Sequence, residues 1–151
     1  MSASENLKKL GLELSPPASV AANYLPTKKS GNIIYISGQL SATKDGITTG
    51  ILGKNMNVEE GQKAAASCAL AILSQIKYDA NIELDKIKSI IKLTILVAST
   101  PNFTNQHLVA NGASNLLVTV LGDKGKHARA AFGVASLPLG AAVEIEAIIE
   151  I

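Results

Sequence analysis

The sequence predicts an α+β layer in which two long helices lie on one face of a mixed β-sheet. Three observations carry this reading. Two long segments show apolar stripes at helical spacing, the last segment alternates as a strand does, and the elements run strand, helix, strand, helix, strand, strand. The length of 151 residues suits one domain over residues 1–151. Hydrophobic residues make up 47% of the chain and charged residues 17%. That balance fits a well-buried chain with further burial between subunits.

The elements follow in order. Ser2-Ala3-Ser4-Glu5 has the spacing of a capping box, and Gly11 would end a short helix from Ala3 to Leu10. Ser15-Pro16-Pro17 then breaks the chain, so residues 1–14 read as a short helical extension. Ile33-Ile34-Tyr35-Ile36-Ser37 reads as a buried strand entered through the turn Gly31-Asn32. Asn57-Val58-Glu59-Glu60 is a second capping box. It opens a helix with Ala65, Ala69, Ile72, Leu73 and Ile76 along one face.

Ile87 to Val97 alternates, with Ile87, Ile91, Leu93, Ile95 and Val97 on one face and Lys88 and Lys92 on the other. Thr100-Pro101 predicts the start of the second long helix. Ala110, Ala113, Leu116, Leu117, Val120 and Leu121 form its apolar stripe, and Gly122 ends it. Two strands close the chain, Arg129 to Ala135 and Val143 to Ile151, separated by Leu137-Pro138-Leu139-Gly140.

Composition excludes several classes. The net charge is +2, from 14 basic and 12 acidic residues, too weak to steer a polyanion. Aromatic residues are 3% of the chain, which argues against a base-stacking platform and so against nucleic acid as a partner. No apolar run approaches the roughly 18 residues of a membrane span. Met1 to Leu14 holds no uninterrupted apolar stretch of the kind a signal peptide needs. The single cysteine, Cys68, reads as a small buried filler and fits a reducing, cytoplasmic setting. His107 and His127 stand far apart in sequence and Cys68 is distant from both, so no metal site is expected. His107 reads as a solvated helix residue and His127 as a half-buried turn residue.

The last two strands hold the candidate chemistry. In the final strand Val143, Ile145, Ala147, Ile149 and Ile151 share a core face, and Glu144, Glu146 and Glu150 point the other way. In the strand before it the pattern predicts Ala130, Phe132 and Val134 in the core, with Arg129, Ala131, Gly133 and Ala135 turned away. Arg129 would then stand beside very small side chains that leave room for a ligand or another chain. Arg129 and Glu144 on the outer face of neighbouring strands read either as a cross-strand ion pair or as a site. In the second case the guanidinium holds a carboxylate and the glutamate positions a water.

His127-Ala-Arg-Ala-Ala-Phe-Gly-Val-Ala-Ser-Leu-Pro138 followed by Val143-Glu-Ile-Glu-Ala-Ile148 resembles the C-terminal signature of the YjgF/RidA family. Asn32-Ile-Ile-Tyr-Ile-Ser-Gly-Gln39 is similar to its early strand, and Val109-Ala-Asn-Gly-Ala-Ser-Asn-Leu116 to the second-helix region of its longer-chain branch. The resemblance covers about Pro17 to Ile151, and three motifs in the right order are more specific than any one. It implies a fold like that of Bacillus chorismate mutase, assembled as a homotrimer with clefts between subunits. It also implies cofactor-independent hydrolysis of 2-imino acids, or their enamine tautomers, to 2-keto acids and ammonia.

Arg129 matches the family arginine that grips the substrate carboxylate, and Glu144 the glutamate that helps hold the attacking water. Tyr24, Gly38 and Asn111 match cleft residues. Ala131 stands where cysteine is frequent and Ala130 where serine is frequent, departures that bear on substrate choice. Other readings are a trimer that binds or senses a small carboxylate such as a keto acid without turnover, a pathway-specific deaminase of the 2-aminomuconate kind, and an endoribonuclease, against which the weak charge and few aromatics argue.

Overall fold

A computed structural model describes residues 1–151. A five-stranded sheet has the order β1-β2-β7-β5-β6, from β1 (Thr27–Ser30), β2 (Ile33–Leu40), β5 (Ser89–Ala98), β6 (Ala128–Val134) and β7 (Val143–Glu150). β5 and β6 run parallel, and the other neighbours run antiparallel. A small hairpin of β3 (Ala42–Thr43) and β4 (Gly46–Ile47) lies outside this sheet. The mixed sheet with its two long helices α2 (Val58–Ser74) and α3 (Gln106–Leu121) is the predicted α+β class.

The helices form for the reasons their sequences predict. α1 (Ala3–Lys9) is closed by a complete capping box between Ser2 and Glu5, and Gly11 follows it at φ 68°. At α2 only half of the predicted box forms. The Asn57 side chain accepts the Glu60 N–H at 2.8 Å, with no return bond from the Glu60 carboxylate. α2 passes into one π-helical turn, Gln75–Asp79. Gly122 ends α3 at φ 65°, a left-handed conformation that favours glycine.

One core lies between helices and sheet. Ala65, Cys68, Ile72 and Ile76 from the α2 segment meet Ile34, Ile95, Ile145 and Ile149 from the strands and Val109, Ala113 and Leu117 from α3. Ala3 and Leu7 of α1 join the same core. The opposite sheet face carries no helix, and there Tyr35 and Phe132 remain 50% and 44% exposed. No helix is long and apolar enough to cross a membrane.

Four local expectations are corrected. α3 starts at Gln106, because Thr100-Pro101 forms a turn in which the Thr100 carbonyl accepts the Phe103 N–H at 3.1 Å. A bulge between Ile90 and Lys92 shifts the β5 alternation by one, so Ile90 is buried and Ile91 exposed. β1 escaped the reading because Thr27-Lys28-Lys29-Ser30 is a polar edge strand with no apolar alternation.

The fourth correction concerns β6. Leu93, Ile95 and Val97 of β5 face the helices, and they pair with Arg129, Ala131 and Gly133. Those three therefore point toward the helix layer. Ala130, Phe132 and Val134 point to the helix-free face, the reverse of the predicted assignment. The small residues answer to packing: a Cβ on Gly133 would collide with the Ser99 hydroxyl and would lie 2.9 Å from Gln106 Nε2 of α3.

α2 and α3 also touch closely. A Cβ on Gly112 would collide with the backbone carbonyl of Gln62. Gly112→Ala must push the helices apart and should cost about 1–3 kcal/mol of stability. Urea unfolding followed by circular dichroism should show a lower midpoint, and an unchanged midpoint would mean that the helix spacing is adjustable.

Candidate functional site

β6 lies at the sheet edge beneath α3, and this places Arg129 on the stripe His107, Asn111, Ser114 of that helix. Arg129 Nη1 donates to Asn111 Oδ1 at 2.9 Å and to Ser114 Oγ at 3.2 Å, and Nη2 donates to the His107 carbonyl at 3.3 Å. All three acceptors are neutral. The two ion pairs of the chain, Lys63–Glu59 and Lys126–Asp123, leave Arg129 without a carboxylate partner. Three of the five guanidinium donors are used, so Nε–H and one Nη2–H remain. Asn111 presents its oxygen to Arg129, which leaves its NH₂ group for another acceptor. Ala131 follows two residues on along the same face of β6, partly buried against the core.

Glu144 sits elsewhere. It pairs with Leu96 on β5 and lies on the helix-free face. β7 and β6 are not neighbours, because β5 runs between them. Arg129 and Glu144 thus stand two strand spacings apart and three residues out of register along β5, and on opposite faces. The expected cross-strand pair on one outer face is therefore absent within the chain. The sequence places the two strands next to each other, but a third strand inserts between them.

Gly38 accompanies Glu144. It belongs to the β2 bulge between Ile36 and Gln39, and a Cβ there would collide with Glu144 Oε1. The segment carrying Tyr24 is tied to the same bulge: Ser37 Oγ donates to the Leu25 carbonyl at 2.7 Å, and Ser37 N–H to the Pro26 carbonyl at 2.9 Å. Tyr24 itself is 57% exposed. One chain thus carries two clusters, with Arg129, Asn111 and Ala131 at one edge and Glu144, Gly38 and the Tyr24 segment toward the other.

A cavity of about 490 Å³ lies along the helix side of β6 beyond Arg129, lined in part by Ser99, Thr100, Phe103, Gln106 and Gly133. The buried Cys68 donates to the Val143 carbonyl at 3.5 Å, and burial pushes its thiol pKa up, so it is an inert filler. His107 is exposed, yet its carbonyl holds Arg129. Ser114 was not among the predicted residues, although its place seven residues after His107 and three after Asn111 puts it on the same helix face.

Partial burial, and after it the charge of Glu146, lifts the Glu144 carboxyl above the usual carboxylate range. A raised folded-state value means that protonated Glu144 favours the fold at acid pH. That contribution is lost as pH rises through the raised value.

The mixed sheet with its crossover helix is that of a small α+β protein. The endoribonuclease L-PSP family model matches residues 15–151, and the chain belongs to that family, which is the YjgF/RidA family. Protein TCP17 of Trypanosoma cruzi is 46% identical over 148 residues, 97% of this chain and 92% of the relative. Mitochondrial protein MMF1 of Saccharomyces cerevisiae is 30% identical over 142 residues, 94% of this chain and 83% of the relative. A crystal structure of a protein of unknown function from Agrobacterium tumefaciens superposes with a TM-score of 0.91 at 51% identity, covering 99% of this chain and 92% of that one. A Shewanella oneidensis structure gives a TM-score of 0.94 at 27% identity, with 100% of both chains covered.

Glu146→Gln removes the second cause of the Glu144 shift and leaves the first. The Glu144 midpoint, read by carbon NMR of the labelled carboxyl, should move down while staying above the usual glutamate value. An unmoved midpoint would show that the Glu146 charge does not reach it.

Proposed function

We propose that this protein hydrolyses small 2-imino acids, or their enamine tautomers, to 2-keto acids and ammonia in a cleft between subunits of a homotrimer. The observation that carries the reading is the Arg129 guanidinium, held by three neutral oxygens with no carboxylate partner and with Nε–H and one Nη2–H free. Such a group binds a small carboxylate side-on. Membership of the YjgF/RidA family supports the same reading.

The two clusters support a cleft between copies. The helix-free face, with Tyr35, Phe132 and Ile148, offers apolar area for association. An edge carrying Arg129, Asn111 and Ala131 from one subunit would meet Glu144, Gly38 and Tyr24 of the next. Arg129 and the Asn111 amide clamp the substrate carboxylate. Glu144 orients a water toward the imine carbon, takes its proton as the C–O bond forms, and returns protons to nitrogen. The C–N bond then breaks, so that imine and water leave as keto acid and ammonia. A carboxyl whose pKa lies above the usual range suits this proton traffic. Ala131, small and beside Arg129, sets the room for the substrate side chain. The reaction calls on orientation and one positioned water, so no cofactor enters it.

A second reading, a binding trimer for a keto acid or similar carboxylate without turnover, is favoured by one observation: Arg129 and its three anchors all lie within a single chain. Endoribonuclease, the activity in the family description, is not proposed, because a net charge of +2 and 3% aromatic content give polyanion binding little support.

Imino acid generated by an amino-acid oxidase and followed by its decay tests the reading. Arg129→Ala should raise KM about 10- to 100-fold, the loss expected for a charge-assisted bond pair, while the variant stays trimeric. Full activity in a trimeric Arg129→Ala would remove the clamp. Glu144→Gln should keep keto-acid affinity, measured by calorimetry, and lose about 100-fold in kcat. A wild-type protein that binds keto acid but never accelerates imine decay would leave the binding trimer.

A further inference from the structure

Ser114 does more than accept from Arg129. Its Oγ lies 2.9 Å from His127 Nε2, while His127 Nδ1 lies 2.6 Å from the Gly125 carbonyl. A carbonyl only accepts, so Nδ1 carries the proton toward Gly125. In the neutral ring Nε2 is then the acceptor, and the Ser114 O–H must donate to it. That turns a lone pair of Ser114 toward Arg129 Nη1. The Gly125 carbonyl is itself fixed, because the Gly122–Gly125 turn lies against α3 so closely that a Cβ on Gly125 would collide with the Leu117 carbonyl.

We propose that His127 and Ser114 are positioning residues for the carboxylate clamp: His127 fixes the rotor of the Ser114 hydroxyl, and the hydroxyl fixes the pose of Arg129. The inference rests on the carboxylate-binding reading of Arg129 given above. Without His127 the hydroxyl can turn its hydrogen toward the guanidinium, and a donor then faces a donor. The clamp loses one of its three anchors, and Nε–H and the free Nη2–H lose their common direction. The effect falls on substrate affinity, since both residues act through Arg129 and neither holds the attacking water.

Two substitutions separate this role from simple support of the turn. In His127→Gln the amide oxygen takes the place of Nε2 and keeps the acceptor toward Ser114. In His127→Asn the amide nitrogen takes the place of Nδ1 and keeps only the donor toward Gly125. The relay predicts that His127→Asn and Ser114→Ala raise the imino-acid KM and the keto-acid Kd about three- to tenfold with kcat within twofold, while His127→Gln stays near wild type. A purely structural turn residue predicts the reverse order for the two His127 variants. That order, equal behaviour of the two, or a Ser114→Ala protein with unchanged Kd would overturn the proposal, and Ser114→Ala decides alone if the histidine variants fail to fold. Arg129→Ala runs beside them. Its loss of affinity with no difference between His127→Gln and His127→Asn refutes the relay only, whereas an unaffected Arg129→Ala refutes the clamp and the relay together.

Discussion

The close approach of α3 to the parallel edge strand β6 is the constraint on which the site depends. A strand joined to a parallel neighbour through a helix lies close to that helix, and here a Cβ on Gly133 would run into the side chains of Ser99 and of Gln106 on α3. Small residues on β6 therefore serve packing first. Arg129 is the exception on that face. It lies where the helix stripe offers oxygens at His107, Asn111 and Ser114 in place of apolar groups. The same geometry that empties the strand of bulk gives the guanidinium its anchors.

Neutral anchors matter to the chemistry. A carboxylate beside Arg129 would satisfy its charge and compete with an anionic ligand. Carbonyl, amide and hydroxyl oxygens hold the group in place and leave its charge uncompensated. The cost of such an arrangement is modest because Arg129 is exposed and stays hydrated in the free protein. Glu144 lies in the contrasting environment, half-buried near a like charge, which favours its protonated form. The proposed acid–base step would draw on that contrast between an anchored cation and a carboxyl that titrates higher than usual.

Periodicity made α2, α3, β2 and β7 legible, since each has one face in a single core and its apolar residues recur at the matching interval. It failed on β6 for a definite reason. The pattern equates bulk with burial, so it places Phe132 in the core and turns the Ala131–Gly133 side away from it. In the fold, Phe132 lies on the face without helices, and the small residues mark the helix contact. The β5 bulge at Ile90–Lys92 and the polar strand Thr27–Ser30 carry no apolar signal that could have announced them. The pattern of the last two strands singles out Arg129 and Glu144, and the resemblance to a family adds their roles together with Tyr24, Gly38 and Asn111. Only Arg129 and Asn111 are in mutual contact in the chain, and Gly38 abuts Glu144.

The division into two clusters follows from topology. The strand inserted between β6 and β7 puts their side chains two strand spacings apart, and the odd three-residue offset in register sends Arg129 and Glu144 to opposite faces. No rotamer change can bridge that gap through the sheet. A ligand that needs both groups must therefore meet them from two copies of the chain, with an edge of one laid against the helix-free face of another. Tyr35 and Phe132, too exposed for so apolar a surface, are placed where such a copy would cover them. On this view assembly and activity are one requirement, because the surface that associates is the surface that completes the cleft.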